Sequence, residues 1–234
     1  MYEILVDLPI QIPLGETYRY MGFPANYNDI PGQIIRMVEE EVSVATAVLK
    51  PRATYHTMAY DAAENTLYNK EGHLRLIGSS ICMHLSSCTK VTIFTCTVGP
   101  AIDPLMDTYF KKGEYTRALI IDAIGSAAVE YIVDTLNQYL NTAAYRQQHS
   151  LVSRFSPGYG GWGLTIQKDL VDLAGGAAIG IKVTDASLLI PRKSVSGIIG
   201  WVPGLEKIQQ GITSPCTLCQ IPKCKNPICK GGAS

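Results

Sequence analysis

The chain has no net charge: Lys and Arg number 20, and Asp and Glu number 20, over 234 residues. Proteins that grip nucleic acid carry a basic excess or a basic stripe, so this balance excludes that class. No apolar run approaches the roughly 18 residues of a membrane span, and no membrane partner is expected. The opening residues, Met1-Tyr2-Glu3-Ile4-Leu5-Val6-Asp7, lack the basic region and apolar stretch of a secretion signal. The expectation is a soluble, cytoplasmic chain whose seven cysteines are reduced, metal-bound or buried rather than disulfide-bonded. The four histidines, His56, His73, His84 and His149, are scattered without metal spacing. No Ser-His-Asp or Cys-His set can be assembled, and there is no internal repeat.

What is present suffices for a core. Apolar residues make up 47% and charged residues 17%, which excludes whole-chain disorder. The length fits one large domain with an appendage, read here as residues 1–204 and a compositionally distinct tail, 205–234. Residues 2–7 alternate as a strand, and Pro13, Gly15, Gly22 and Pro24 break residues 14–30 into a turn-rich arm. Pro31 opens a helix on which Ile34, Ile35, Val38, Val42, Ala45, Val48 and Leu49 recur at helical steps. Short strands follow at 53–60, 66–68 and 73–77, with a short helix through Ile81, Cys82 and Leu85. Residues 90–98 form the most strand-prone run and predict a central strand.

Two helices are expected next, at 101–111 and 114–145. The second is apolar on a wide face, which places it deep in the core, and Gly125 to Ala128 leave its middle thin enough for a ligand or another backbone to approach closely. Thr165 is placed to cap a helix at 166–173. Residues 183–190 and 195–202 read as a hairpin about Pro191. Cys82, Cys88 and Cys96 read as small apolar groups in the core.

The loop Gly158-Tyr159-Gly160-Gly161-Trp162-Gly163 fits the Gly-x-Gly-x-x-Gly pattern of a dinucleotide site, with a candidate strand before it, a helix after it and Asp185 downstream. Pro157, the polar Ser153 and Arg154 in the preceding segment, and the short remainder of the chain all count against that reading. A plain glycine turn and a ligand loop of another kind are the alternatives. For the latter, glycines bare the backbone to a ligand, Arg154 offers a planar fork for a carboxylate, and Tyr159 and Trp162 offer flat faces for an adenine ring or a cation.

Two motifs carry a family resemblance. Arg154-Phe155-Ser156-Pro157-Gly158-Tyr159 resembles the Arg-x-x-Pro-Gly-Tyr motif of the activation (reactivation) domain of cobalamin-dependent methionine synthase. Residues 184–197, ending in Ser194-Val195-Ser196-Gly197, resemble that domain's second signature. The long helix around residues 118–134 and Thr97-Val98-Gly99 are similar to its core helix and a strand end, so the resemblance spans about residues 18–202. It implies an α+β fold, a twisted antiparallel sheet flanked by helices, that binds S-adenosylmethionine. By position, Arg154 would hold the ligand's carboxylate, Glu130 its ammonium or a ribose hydroxyl, and Pro157, Gly158 and Tyr159 would line the site.

The family role is reductive methylation of oxidised cob(II)alamin, with an electron from a flavodoxin- or ferredoxin-type donor. The chain has no Asp-x-His-x-x-Gly cobalamin motif, so it would act in trans on a corrinoid protein or on a methionine synthase lacking this domain. The family has aromatic residues after Ser-Val-Ser-Gly where this chain has Ile198 and Ile199, which implies an altered pocket and keeps open a docking or scaffold protein without ligand chemistry. A nucleotide-dependent oxidoreductase built on the glycine loop is a third reading.

The tail adds Cys216, Cys219, Cys224 and Cys229 beside Lys223, Lys225 and Lys230. The Cys-x-x-Cys pair chelates zinc or an iron–sulfur cluster because two thiolates on one turn reach one ion. The gaps to Cys224 and Cys229 fit neither a ferredoxin nor a standard zinc finger, so a metal site, a redox or disulfide pair, and an inert tail are all compatible with the spacing. A cluster could relay the low-potential electron; zinc would only fold the tail.

Overall fold

The computed structural model describes residues 1–23, 30–70 and 72–205. Strand β1 (Glu3–Val6) leads into helix α1 (Leu14–Tyr20) and then α2 (Gly32–Val48). A meander follows: β2 (Arg52–Asp61), β3 (Thr66–Asn69) and β4 (Gly72–Arg75). Helix α3 (Ser79–His84) precedes β5 (Lys90–Thr97), α4 (Ile102–Lys111) and the 32-residue α5 (Tyr115–Arg146). The last third holds β6 (His149–Leu151), α6 (Gln167–Ala174), the small β7 (Lys182–Val183) and β8 (Leu189–Ile190), and β9 (Ser194–Pro203).

The main sheet runs β4-β3-β2-β5-β9-β6, with β1 also paired to β2, and every pairing is antiparallel. This is the α+β class expected from the sequence. β5 lies at its centre and is buried on both faces, as its continuous run of strand-forming residues requires. One face carries Ala53, Tyr55, Phe94, Cys96, Ile199 and Trp201 and packs on α2, α4 and α5. The other carries Met58, Val91, Ile93 and Ile198 and packs on α3, α6 and the aromatic pair Phe155 and Trp162. Among the described residues no helix is long and apolar enough to cross a membrane.

A buried ion cluster ties the helices together. Glu41, fully buried on α2, takes Arg117 of α5 and the Tyr109 hydroxyl of α4 at 2.7 Å. Burial and that carboxylate push the Tyr109 phenol up to about 12.

Several sequence expectations are corrected. Residues 14–20 are helical rather than turn-rich: Gly15 falls in the first turn, where it interrupts little, and Thr17 and Tyr18 bury against the core. Residues 183–190 and 195–202 do not pair with each other. β9 pairs with β5 and β6, which buries both Ile198 and Ile199, while β7 and β8 close a separate two-stranded hairpin. Thr165 caps nothing, because it lies within a 3-10 turn (Leu164–Ile166) that precedes α6. The thin middle of α5 is filled by a side chain: Lys193 lays its stem over Gly125 and reaches Asp122 at 2.7 Å and Ser126 at 2.9 Å.

Candidate functional site

A cavity of about 340 Å³ lies beside α5 at the start of β9, where that strand pairs with β5 on one edge and its bridge to Phe155 has already been passed on the other. Its walls are Glu130 from α5, Ser153, Arg154, Ser156, Pro157 and Tyr159 from the segment after β6, Gln167 from α6, Leu189 from β8, and Ser194, Val195 and Ser196 from β9. Arg154 and Glu130, 24 residues apart in sequence, meet as an ion pair in this wall. Burial works against the Arg154 charge, but Glu130, Asp134 and the Tyr159 phenol outweigh it and hold the guanidinium above its ordinary value. Asp134, one helical turn beyond Glu130, is raised by burial against the pull of Arg154, with Glu130 and Glu16 adding to the rise. Tyr20 of α1 is raised by burial and by Glu130.

Local geometry explains the loop. Phe155 exchanges both main-chain bonds with Ile198, at 2.9 and 2.8 Å, and is the last residue to pair with β9. Pro157 has no N–H to continue the ladder. The chain then closes on itself: Tyr159 N–H reaches the Ser156 carbonyl at 3.1 Å and Gly158 N–H the Trp162 carbonyl at 2.7 Å. Gly158 adopts φ +91°, a conformation that disfavours a side chain. It sits behind the wall against Leu164 rather than in it. Behind Arg154, the Ser153 carbonyl accepts a bond from His84 Nε2 at 2.7 Å, and the His84 ring packs against Phe155 at a tilt of 44°, with centroids 5.0 Å apart.

Four of the five ligand-contact candidates, Glu130, Arg154, Pro157 and Tyr159, thus line one cavity, with Gly158 just behind. Trp162 offers no face to a ligand: it is 2% exposed and packs on Phe155 in the core. The glycine loop follows no parallel strand, so the dinucleotide reading fails. Ile198 and Ile199 are core residues on opposite faces of the sheet and do not line the cavity. The sequence reading missed Ser153, Ser156, Gln167, Leu189 and the hydroxyls of Ser194 and Ser196; the alternation in Ser-Val-Ser-Gly was the available signal for the last two.

Ser196 is 3% exposed, and its Oγ has no hydrogen-bond partner among the described residues. Buried hydroxyls are almost always bonded, so an unbonded one in a cavity wall marks a place where a ligand or water completes the bond. Cys88 and Cys96 are buried free thiols, the first pushed up to about 12 and the second higher still, both by burial. Cys82 is partly exposed. Among the described residues no three His, Cys, Asp or Glu side chains are placed to hold a metal. Cys216, Cys219, Cys224 and Cys229 lie outside the described residues.

No protein-family model matches the chain, and no curated protein matches it in sequence. In fold it is similar to a solved structure, the MetH reactivation domain bound to AdoHcy, with a TM-score of 0.62 at 14% identity, covering 86% of this chain and 78% of that one. With its antiparallel seven-stranded sheet, its long core helix and its loop at the edge of β9, the chain has the fold of the MetH reactivation domain.

Proposed function

We propose that the chain binds S-adenosylmethionine in the cavity at the edge of β9 and serves, as a stand-alone component, in the reductive reactivation of a corrinoid protein. The observation that carries this is the side-by-side placement of one guanidinium and one carboxylate, Arg154 and Glu130, in a cavity whose other polar groups are neutral. An amino-acid end presents the complementary pair of charges: its carboxylate suits Arg154 and its ammonium suits Glu130. Tyr159, Pro157 and Leu189 supply apolar area for the rest of the molecule. The unbonded Ser196 hydroxyl fits a polar ligand rather than a dry void. That a domain of the same fold has been crystallised with AdoHcy supports the choice of ligand.

Bound S-adenosylmethionine supplies a methyl group, and the chain's own residues anchor and orient it. The acceptor is the cobalamin of a partner, a corrinoid protein or a methionine synthase without this domain, with an electron from a flavodoxin- or ferredoxin-type donor. The four tail cysteines are proposed as a thiolate site for zinc or an iron–sulfur cluster. Anaerobic purification tests this: a brown protein with iron indicates a cluster, a colourless one with zinc indicates a folding site, and four freely titrating thiols reject both.

Isothermal titration with S-adenosylmethionine tests the central proposal. Wild type is expected to bind and Arg154→Ala to lose most of the affinity while keeping its circular dichroism spectrum. Folded wild type that shows no binding at millimolar ligand overturns it. Methylcobalamin formation on the partner then separates the scaffold reading, because that reading requires Arg154→Ala to reactivate as well as wild type.

A further inference from the structure

The strand hydroxyls beside Ser196 are paired with one another. The strand register sets Thr54, Thr95 and Ser196 side by side across β2, β5 and β9. Thr54 and Thr95 bond each other at 2.6 Å, so that pair is closed. Two residues before Ser196, the Ser194 hydroxyl donates to Thr97 Oγ1 at 2.9 Å. Only Ser196 in this row has an Oγ both buried and unbonded among the described residues. Its main chain is placed in the same way. Ile198 turns both its N–H and its C=O away from β5 toward Phe155, and residues two apart on a strand share that direction. At Ser196 and Ser194 the flanking chain has already departed through Ser156 and Pro157, and both serines line the cavity. The edge of β9 therefore presents a hydroxyl, an N–H and a C=O to the cavity. Among the described residues, the only charged ones lining the cavity, Glu130 and Arg154, stand together at its other side, where they form one ion pair.

We propose that Ser196, with the strand edge it stands on, reads the uncharged hydrogen-bonding end of the ligand, the sugar hydroxyls or base edge of an adenine nucleoside, while Arg154 and Glu130 hold the charged end. The inference rests on the reading of the cavity as an S-adenosylmethionine site. It assigns the ligand a direction: amino acid toward α5, nucleoside along β9. A hydroxyl serves this role because it both donates and accepts, as the ribose hydroxyls and the adenine edge do.

Two probes divide the ligand. S-Adenosylhomocysteine carries both ends, and 5′-methylthioadenosine carries only the nucleoside. Ser196→Ala is expected to weaken both by the same factor, about three- to tenfold, the worth of one hydrogen bond. Arg154→Ala is expected to weaken S-adenosylhomocysteine and leave 5′-methylthioadenosine unchanged. Without ligand, Ser196→Ala is expected to melt at or above the wild-type temperature, because it removes an unbonded buried hydroxyl. A lower melting temperature for unliganded Ser196→Ala would show a structural role and overturn the inference. So would unchanged affinity for both probes in a variant of a wild type that binds them. A wild type that binds neither probe overturns the site reading together with the inference.

Discussion

Replacing Gly197 with alanine is expected to lower the thermal midpoint by about 4–8 °C. A Cβ at this position would stand 2.8 Å from Ser156 Oγ, 2.9 Å from the Phe155 carbonyl oxygen and 3.0 Å from Phe94 Cζ. The serine hydroxyl can rotate away. The carbonyl cannot, because it accepts the Ile198 N–H at 2.8 Å in the bridge that fixes the loop. The Phe94 ring is fully buried at the centre of the sheet. Two of the three obstacles are therefore rigid, and overpacking of this kind costs about 1–3 kcal/mol. A mid-range loss of about 2 kcal/mol corresponds to the stated shift, since a chain of this size moves about 2–4 °C per kcal/mol. Melting followed by circular dichroism measures it. Gly32→Ala is the control: nothing lies within 4 Å of its added Cβ at the start of α2, so it is expected to be neutral or stabilising. A Gly197→Ala midpoint within about 1 °C of wild type would refute the steric argument, as would an equal loss in Gly32→Ala.

Three further outcomes are expected. Arg117→Met leaves the buried Glu41 carboxylate without its guanidinium and should cost about 3–5 kcal/mol in urea unfolding, with Glu41→Leu in the same chain restoring much of the loss. Burial holds the His84 imidazole below its ordinary 6.5 despite its bond to Ser153, so the unfolded chain takes up the proton first; stability is fully present above 6.5 and falls as pH drops below it, and His84→Gln should flatten that slope in melts from pH 7 to pH 5. Deleting residues 206–234 should leave the affinity for S-adenosylmethionine unchanged by titration calorimetry, because β9 is already anchored by the Gly204 N–H on the Gln148 carbonyl at 2.8 Å.

The elements that could be read from sequence are those whose pattern is local. α2 and α5 declare themselves by helical spacing of apolar residues, and β5 by an unbroken run of β-formers. The pairing of β9 was not legible, because its partner lies about a hundred residues earlier and no short-range signal encodes it. α1 was hidden by Gly15, whose effect depends on its place in the first turn. The family resemblance named Arg154 and Glu130 as contacts of one ligand, but their ion pair with each other arises from the packing of the segment after β6 against α5 and has no local sequence signal. Trp162 looked like a ligand platform because sequence does not reveal which way a loop aromatic turns. The unbonded state of Ser196 likewise exists only once Thr54, Thr95, Thr97 and Ser194 have taken one another.

The junction of β5 with β9 also governs the order in which the molecule comes together. Contacts within α5 and between neighbouring strands such as β2 and β3 close short segments and form early. Joining β9 to β5 closes a loop of about a hundred residues, whose entropic cost must be met before any of its bonds are rewarded. Until then β5, the strand at the centre of the finished sheet, has an open edge, and an unpaired edge is a template for aggregation. Ser194, Val195 and Ser196 of the cavity wall are carried on β9, so the cavity is complete only once β9 has joined the sheet. A small molecule held there recognises the finished chain and not its precursors; at a hundred times its dissociation constant it would favour the finished chain by about 2.7 kcal/mol. The yield of folded protein during synthesis would then rise with the cell's supply of that molecule.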